Sequence, residues 1–460
     1  MYRHALNYLK HWKKKNNRKP LVIRGARQVG KTYLVRKFAR ENFENLLEIN
    51  FEKDIEVAVI FKSNNPRRII QLLELQYNKS IQVGTTLLFF DEIQAAPEIM
   101  ASLRYFYEDL PGLHIISAGS LLEFTFASPM YAMPVGRLEY LFLGPMQFDE
   151  FLKAVGEDKL YSFLQSYQIQ EPFHETIHDR LMDLFRIFLV TGGMPGPLFA
   201  YVKNESWQAC EEEKNALLLT FQDDFNKYET TLKNQAQKLQ LIFKKVPLTV
   251  GTKFKYVNIS RNDKPNEVAK ALDMLCLARV VYRIYHSSGT GVPLGATIND
   301  KKFKPLFLDV GLMSSICGLN LLDFVKSEDV ILVNSGAVCE QFIGQHLLFS
   351  RYFYQEPELH YWVREKKGAS SEIDYLIADG PNIIPVEIKA GKTGSLKSMH
   401  MFIKEKKSPL GLRFCSDIPS LFNNESVLVH NEPLSYRLLS LPLYLVGQCR
   451  RISREILNSF

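Results

Sequence analysis

The sequence is poor in the residues that build covalent or metal-bound scaffolds. Its 460 residues include only 6 cysteines, none of them in a CxxC pair, which excludes a disulfide framework and a zinc ribbon and predicts a reducing, cytoplasmic location. The histidines are scattered, so we expect no zinc site. No uncharged apolar run approaches the roughly 18–20 residues that a membrane span needs, and no membrane partner is expected.

Acidic residues are absent from the first 40 positions, which hold 13 Lys and Arg. The whole chain has a formal net charge of +7, so the remaining 420 residues carry a balance of −6. This uneven distribution predicts an anion-binding surface near the N-terminus. Lysines at the end of a helix also suit its macrodipole, so the cluster Lys13–Lys19 has two interpretations, a nucleic-acid contact and a helix end.

Apolar runs alternate with helical segments over the first 150 residues. This alternation predicts an α/β fold with a parallel sheet covered on both faces. The next 80 residues are mostly helical, and a mixed segment follows to the C-terminus. The predicted strands are Pro20–Arg24, Leu46–Phe51, Thr86–Phe90, Leu113–Ser117 and Glu139–Leu143.

A glycine-bearing loop follows the first predicted strand. Gly25-Ala26-Arg27-Gln28-Val29-Gly30-Lys31-Thr32 fits the phosphate-loop pattern GxxxxGK[ST], and a helix continues from Tyr33. The glycines let successive backbone N–H groups point at a phosphate, and the helix N-terminus adds its positive dipole end. We expect Lys31 to contact the β- and γ-phosphates and the Thr32 hydroxyl to bind Mg²⁺. Residues 25–33 therefore predict a site for ATP with Mg²⁺, and Arg24 and Arg27 flank it.

A second motif, which is acidic, completes the prediction of an ATPase. The apolar strand that ends at Phe90 delivers Asp91 and Glu92 at its C-terminal tip, where open α/β sheets bind their ligands. Asp91 would hold Mg²⁺ through water, and Glu92 would orient or deprotonate the attacking water.

Together these motifs resemble the AAA+ ATPases over residues 18–150, and one prokaryotic branch in particular. The resemblance is carried by the phosphate loop and by four short sequences, which are Asp91-Glu92-Ile93-Gln94, Ala118-Gly119-Ser120, Gly136-Arg137 and Pro145-Met146-Gln147-Phe148-Asp149-Glu150-Phe151. It implies a five-stranded parallel sheet of order 5-1-4-3-2. It also implies that Ser120 or Ser117 senses the γ-phosphate and that Arg137 is an arginine finger, acting within the chain or on a neighbouring subunit.

Near the C-terminus, a turn cluster separates two alternating runs. Residues 379–382 read as the loop of a hairpin, which places Asp374 opposite Glu387 and Lys389 on the same face. Two opposed carboxylates repel each other unless a cation or a proton lies between them. A divalent ion there, with Lys389 near an attacking water, would be a phosphodiester-cleaving arrangement. The simpler interpretation is a solvated hairpin with a charged face.

This spacing, D-(x)12-E-x-K, resembles the core of restriction-endonuclease-like folds, with Glu340 in the position of the upstream acid. The resemblance implies a Mg²⁺ site at Glu340, Asp374 and Glu387. The same ATPase branch carries such a C-terminal domain of unknown function. Residues 258–285 resemble a winged helix-turn-helix, with Val268, Leu272 and Leu275 on the apolar face of its helix and Lys244, Lys245, Lys253, Lys255 and Arg261 nearby.

The sequence therefore predicts four segments. They are an ATPase core at 1–155, a helical connector at 156–230, a winged-helix segment at 231–300 and an endonuclease-like domain at 301–460. We expect an enzyme that binds and hydrolyses ATP and whose C-terminal module engages DNA. The alternative is an ATP-dependent switch that binds a protein partner or further copies of itself, with an inactive nuclease-like fold.

Overall fold

The five apolar runs of the N-terminal third pair into one sheet in the computed structural model. The strands are β1 (Leu21–Arg24), β2 (Asn45–Asn50), β3 (Thr86–Asp91), β4 (His114–Ala118) and β5 (Glu139–Phe142). All neighbouring pairs are parallel and the order is β2-β3-β4-β1-β5. This confirms the predicted order 5-1-4-3-2. All six residues of β3 are buried, as expected for an inner strand of an α/β sheet.

The structure describes residues 1–127, 136–227, 236–260, 263–319, 335–364, 371–389, 391, 396–429 and 432–459. They divide into two units. Unit 1 contains Met1–Gly144, Leu277–Val280 and Arg351–Pro357, and unit 2 contains Pro145–Cys276, Val281–Ser350 and Glu358–Phe460. None of the helices in these ranges combines the length and the apolar character needed to cross a bilayer.

The helices of unit 1 alternate with its strands. They are α1 (Ala5–Lys13), α2 (Lys31–Asn42), α3 (Ala58–Phe61), α4 (Pro66–Tyr77), α5 (Ile99–Asp109) and α6 (Leu122–Ala127). Local sequence explains where α4 begins: the Asn65 side chain accepts a hydrogen bond from the Arg68 N–H, and Pro66 occupies the first helical position. An apolar cluster of unit 1 packs β2, β3 and β4 against α3, α4 and α5.

Unit 2 begins with helices and ends with a mixed sheet of eight strands. Its helices are α7 (Phe148–Ala154), α8 (Asp158–Ser166), α9 (Glu175–Thr191), α10 (Pro195–Asn204), α11 (Trp207–Lys227), α12 (Ala236–Lys245), α13 (Tyr256–Ile259), α14 (Pro265–Leu277), α15 (Val310–Ile316), α16 (Ser335–Phe349), α17 (Lys397–Lys406) and α18 (Cys449–Asn458). Its strands are β6 (Val281–Ser287), β7 (Ile298–Phe307), β8 (His360–Val363), β9 (Glu372–Asp379), β10 (Asn382–Ile388), β11 (Leu410–Cys415), β12 (Ser420–Val429) and β13 (Glu432–Pro442). The sheet order is β12-β13-β11-β10-β9-β8-β6-β7.

The expected boundary at residue 300 falls inside β7. The β6–β7 hairpin continues through the parallel β6–β8 pair into the C-terminal sheet, so the strands of the predicted winged-helix segment and those of the predicted endonuclease-like segment share one sheet. Helix α14 buries Val268, Leu272 and Leu275, as its periodicity predicts. A separate winged-helix module stays a prediction, and Arg261 lies outside the described residues.

Two short motifs of unit 2 are explained by packing. The Pro145–Phe151 motif starts α7 with a capping box between Gln147 and Glu150. The glycine pair Gly192-Gly193 packs on the fully buried carboxylate of Asp309, whose Oδ2 accepts from the Gly193 N–H at 2.7 Å and whose Oδ1 accepts from the first turn of α15. A Cβ on Gly192 would lie 2.2 Å from Asp309 Oδ1. The glycine pair is therefore needed for a close approach.

We expect Gly192→Ala to lower the free energy of unfolding of unit 2 by about 2–4 kcal/mol, because the new Cβ collides with Asp309 and because φ is +71° at this position. Urea unfolding followed by circular dichroism measures the change. Gly196→Ala is the matched control, since its added Cβ meets only Glu213 Oε2 at 3.8 Å within a helix that alanine favours. Equal losses in the two variants would contradict the proposed contact.

Candidate functional site

The loop between β1 and α2 has the backbone of a phosphate-binding turn. Gly30, with φ of +91°, and Gln28, with φ of +64°, both lie in the left-handed region. A Cβ on Gly25 would lie 2.2 Å from the Leu143 carbonyl oxygen, so this loop can pass beside the end of β5 only with glycine at that position. The Arg3 guanidinium donates to the Val29 carbonyl at 2.8 Å and to the Gly144 carbonyl at 2.7 Å.

Lys31 is buried inside this loop, and no carboxylate of the described residues lies within ion-pair distance of it. Its ammonium donates to the backbone carbonyls of Gly25 at 3.0 Å and Ala26 at 2.8 Å. Burial lowers the pKa of Lys31 to about 8, although Glu92 and Asp91 act in the opposite direction. Neutral carbonyls leave the positive charge uncompensated, so phosphate oxygens would be stronger partners for this ammonium.

Thr32 and Asp91 meet although 58 residues separate them in the chain. The Thr32 hydroxyl donates to Asp91 Oδ2 at 2.9 Å, because α2 starts and β3 ends at the carboxyl edge of the same sheet. Burial raises the pKa of Asp91 to about 6, partly offset by the hydrogen bond from Thr32. A hydroxyl and a carboxylate are hard oxygen ligands, so this pair fits the Mg²⁺ that accompanies ATP.

Glu92 is held beside the same edge by polar neighbours. Its backbone is left-handed, with φ of +50°, which turns the chain after β3. Gln94 Nε2 donates to Glu92 Oε2 at 2.6 Å, and the Ser120 hydroxyl lies 3.5 Å from the same oxygen. The structure thus brings Ser120, rather than the fully buried Ser117, to this carboxylate. Sequence reasoning gave Gln94 no role of its own, and its presence in the Asp91–Gln94 motif was the available signal.

Arg137 lies away from the phosphate loop of its own chain. It precedes β5, whose first residue Glu139 pairs with Leu21 at the start of β1, whereas the phosphate loop follows the other end of β1. Its guanidinium is 43% exposed and pairs with Glu108 at 3.2 Å. Of the two predicted roles, action on a neighbouring subunit is the one compatible with this position, and it stays a prediction.

Arg24 contributes less to the phosphate site than its position in the sequence predicts. Its guanidinium pairs with Glu123 and lies about 5 Å from the rings of Phe126 and Phe142. Glu123 also accepts from Arg279, which pairs in turn with Glu356 at 2.7 Å. This ion-pair network, rather than a nucleotide, compensates the charge of Arg24. Arg27 belongs to the phosphate loop itself, and its guanidinium lies 3.9 Å from the Glu52 carboxylate.

The second predicted site lies on β9 and β10. Pairing of Ala378 with Ile383 and of Tyr375 with Val386 gives the predicted register, in which Asp374 falls opposite Glu387. Asp374 Oδ2 accepts from the Ile388 N–H at 2.8 Å, and Lys389 pairs with Glu387 at 2.6 Å. The hairpin is not a solvated charged face, because burial raises the pKa of both opposed carboxyl groups.

A lysine that sequence reasoning missed lies among these acids. Lys304, on β7, is 2% exposed and places its ammonium 2.6 Å from Glu372, 3.0 Å from Glu340 and 3.9 Å from Asp374. Burial alone would lower its pKa, yet the surrounding carboxylates raise it. No local sequence pattern indicates that Lys304 belongs to this cluster, because in the sequence it lies 36 residues from Glu340 and farther from the hairpin.

The nuclease-type metal site does not fit this arrangement. Lys304 supplies the cation that the opposed carboxylates require, and burial further raises the pKa of Glu340, which favours a proton there. Within the described ranges, no three His, Cys, Asp or Glu side chains are arranged to hold one metal ion. Glu340 and Asp374 lie together with Glu372 around the Lys304 ammonium, whereas Glu387 pairs with Lys389.

One histidine pattern was overlooked in the sequence. Residues 174–178 read HETIH, the spacing of the zinc-protease motif HExxH. In the structure, His174 caps α9 by accepting from the Thr176 N–H, and His178 Nδ1 lies 2.9 Å from the Tyr444 hydroxyl. One ring nitrogen of each histidine therefore has a structural partner.

Comparison with known protein families agrees with the geometry of unit 1. Residues 17–152 match the family model of an AAA domain. Residues 182–323 and 335–423 match two domains of unknown function, DUF8612 and DUF4143. No curated protein matches the chain. Residues 17–152 are thus similar to an AAA domain, and the endonuclease-like and winged-helix assignments gain no support from these matches.

Solved structures resemble the chain only distantly. The Walker-type ATPase PABY2304 of Pyrococcus abyssi is 16% identical over 69% of this chain and 95% of that chain, with a TM-score of 0.41. The Aeropyrum pernix ORC1 protein, solved in complex with DNA, is 10% identical over 69% of this chain and 91% of that chain, with a TM-score of 0.25. Similarity at this level supports no conclusion about the activity or the partners of this chain.

The buried Lys31 makes nucleotide affinity depend on pH. Phosphate oxygens raise the pKa of Lys31 on binding, so affinity is full below the pKa of about 8 in the free protein and falls as the pH rises above it, by up to about tenfold per pH unit. Titration calorimetry with ADP and Mg²⁺ between pH 7 and 9.5 measures this slope. Lys53→Ala, at an exposed lysine, should keep it, and a pH-independent affinity in the unmodified protein would refute the role of Lys31.

Proposed function

We propose that the chain binds and hydrolyses ATP at the carboxyl edge of the unit 1 sheet. The observation that carries this proposal is the Thr32–Asp91 hydrogen bond. It joins the phosphate loop to the acidic tip of β3, beside the Lys31 ammonium, which donates to two backbone carbonyls. An ATPase needs a loop for phosphate, two ligands for Mg²⁺ and an acid for water at one point. The AAA domain match over residues 17–152 supports the same function.

Each residue then has a defined task. The backbone N–H groups of residues 25–33 bind the phosphates, and Lys31 neutralises charge on the β- and γ-phosphates. Thr32 and Asp91 hold the Mg²⁺ that enters with ATP. Glu92, fixed by Gln94, orients the attacking water for in-line displacement, and Ser120 senses the γ-phosphate from the same side. Arg137 would complete the site of a neighbouring copy, which requires a homo-oligomer.

For unit 2, the position of Lys304 favours the second of the two predicted functions, the ATP-dependent switch with an inactive nuclease-like fold. The Lys304 ammonium already neutralises the carboxylates that a divalent ion would need as ligands in a nuclease-like fold. We therefore propose that unit 2 acts in a cytoplasmic, ATP-dependent interaction switch and does not cut DNA. Helix α16, the strands β8–β10, helix α17 and β11 would then serve as a scaffold for a partner.

Two substitutions separate nucleotide binding from hydrolysis. Lys31→Ala removes the ammonium that meets the phosphates, so nucleotide binding should be lost. Glu92→Gln keeps the shape of the side chain but removes the carboxylate, so binding should persist while turnover falls at least about a hundredfold. Calorimetry and a phosphate-release assay measure the two effects. Unchanged turnover in both variants would sink the assignment.

If Lys304 is the resident cation, Lys304→Met should destabilise unit 2 by about 3–5 kcal/mol at pH 8, because it leaves three carboxylates without their charge partner. The raised pKa values of Glu340 and Asp374 mean that the folded variant holds extra protons, so its stability falls as the pH rises and the loss should be smaller at pH 5.5. Thermal unfolding at the two pH values measures this. Lys301→Met, at an exposed position on the same strand, is the control.

A cleavage assay tests the same proposal from the opposite side. We expect no cutting of plasmid or single-stranded DNA by the purified chain with Mg²⁺ or Mn²⁺, with or without ATP. Metal-dependent cutting that disappears in Asp374→Ala would show that Lys304 yields its place to a metal ion and would overturn the switch.

A further inference from the structure

The end of α1 borders an open recess of about 840 Å³ within unit 1. The rest of its wall comes from the end of α2 and from the segments that precede β3 and β4. In a parallel sheet, the segments before the strands lie at the amino edge, whereas the phosphate loop follows β1 at the carboxyl edge. The recess and the ATP site are therefore on opposite edges of one sheet. We call it the basic recess.

Five cations line the basic recess, and no acidic residue does; they are Lys10, Lys13, Lys14, Lys15 and Arg18. Two carboxylates reach this set from outside, Glu139 at 2.5 Å from Lys15 and Glu41 at 3.9 Å from Lys10. Among the described residues, Lys13 and Lys14 thus remain without a carboxylate partner, and Arg18 shares the charge of Glu139 with Lys15.

Arg18 shows that the cluster is more than a helix end. It lies outside α1, is 8% exposed, and donates to the carbonyls of Lys13 and Gly112 at 3.1 and 3.0 Å. These neutral acceptors fix the guanidinium without cancelling its charge. Burial lowers the pKa of Lys13, and the neighbouring Arg18 lowers it further. The helix macrodipole amounts to roughly half a negative charge, too little to balance three cations.

The floor of the basic recess holds a polar side chain without a hydrogen bond. His114, the first residue of β4, is 5% exposed, and neither of its ring nitrogens has a hydrogen-bond partner among the described residues. The Lys13 carbonyl lies near the ring but outside hydrogen-bond geometry, and burial lowers the pKa of His114 to about 4. A neutral imidazole offers one N–H to a ligand, and leaving it unused in a buried position costs free energy.

We propose that the basic recess binds a ligand with several phosphate groups, and that this ligand is the sugar-phosphate backbone of a nucleic acid strand. Lysines and an arginine around a buried N–H donor suit phosphate oxygens. The recess is open to solvent, so a polymer can lie across it. None of its described lining residues is Phe, Tyr or Trp, so base stacking is absent there and binding should not depend on base sequence. This proposal does not rest on ATP hydrolysis.

Fluorescence anisotropy with a labelled single-stranded oligonucleotide of mixed sequence tests the proposal on the full chain. In the double variant Lys10→Glu/Lys14→Glu, we expect at least a tenfold loss of affinity and a salt slope (log of the association constant against log salt) smaller by about 1.4, or about 0.7 for each lost phosphate contact. The matched control Lys53→Glu/Lys62→Glu makes the same charge change at exposed lysines and should leave both nearly unchanged. Equal losses in the two variants would overturn a defined site.

Two further variants separate the recess from the ATP site. Lys31→Ala should keep oligonucleotide binding, so that a failed ATPase leaves this proposal testable, and loss of binding would assign the strand to the phosphate loop instead. His114→Phe keeps an aromatic ring in place but removes the N–H donor, so it should weaken binding several-fold at an unchanged melting temperature. Full affinity in His114→Phe would overturn its role as a donor.

Small phosphates distinguish the source of the phosphate groups. In the Lys31→Ala protein, tripolyphosphate should compete with the oligonucleotide only at millimolar concentration. Tight binding of tripolyphosphate that Lys10→Glu/Lys14→Glu abolishes, without oligonucleotide binding, would replace the nucleic acid by a small polyphosphate. Absence of binding by both probes would overturn the phosphate site altogether.

Discussion

A buried charge must find a partner, and the partners that two lysines find decide which of the two predicted sites has room for a ligand. Lys31 and Lys304 are both almost fully buried. Lys31 rests on two backbone carbonyls, which solvate its charge without neutralising it. Lys304 lies among three carboxylates. A phosphate can therefore neutralise the Lys31 ammonium, whereas carboxylates already neutralise the Lys304 ammonium.

The pKa shifts express this difference. Burial dominates at Lys31 and lowers its pKa, so a phosphate that restores the charged form is bound more tightly. At Lys304 the carboxylates outweigh burial and raise the pKa, so the charged form is already stable without a ligand. The same residue type at similar burial can therefore indicate opposite things about a site, and only the surrounding acids distinguish them.

Local patterns allowed the phosphate loop and the hairpin register to be predicted from the sequence, whereas the sheet order was implied by the resemblance to the AAA+ ATPases. The loop needs only eight consecutive residues, and the register follows from one turn and the two-residue period of a strand. The Lys304 cluster could not be predicted in this way, because it joins β7, α16 and β9 across long sequence separations. The contact of Gly192 with Asp309 could not be predicted for the same reason, because it spans 117 residues.

The cations of residues 1–40 form one basic segment in the sequence, but in the folded chain they have different partners. Arg3 holds the phosphate loop through two carbonyls, and Arg24 is neutralised by Glu123. Lys31 donates to two carbonyls of the loop. What remains unbalanced is the group around Arg18 and His114 at the opposite edge of the sheet. Strands β1 and β4 are parallel neighbours that begin beside the basic recess and end beside the phosphate loop, so one layer of sheet separates the two groups of cations. The positive charge of residues 1–40 is therefore divided between two edges of the sheet, and a nucleotide at the phosphate loop would account for only one of them.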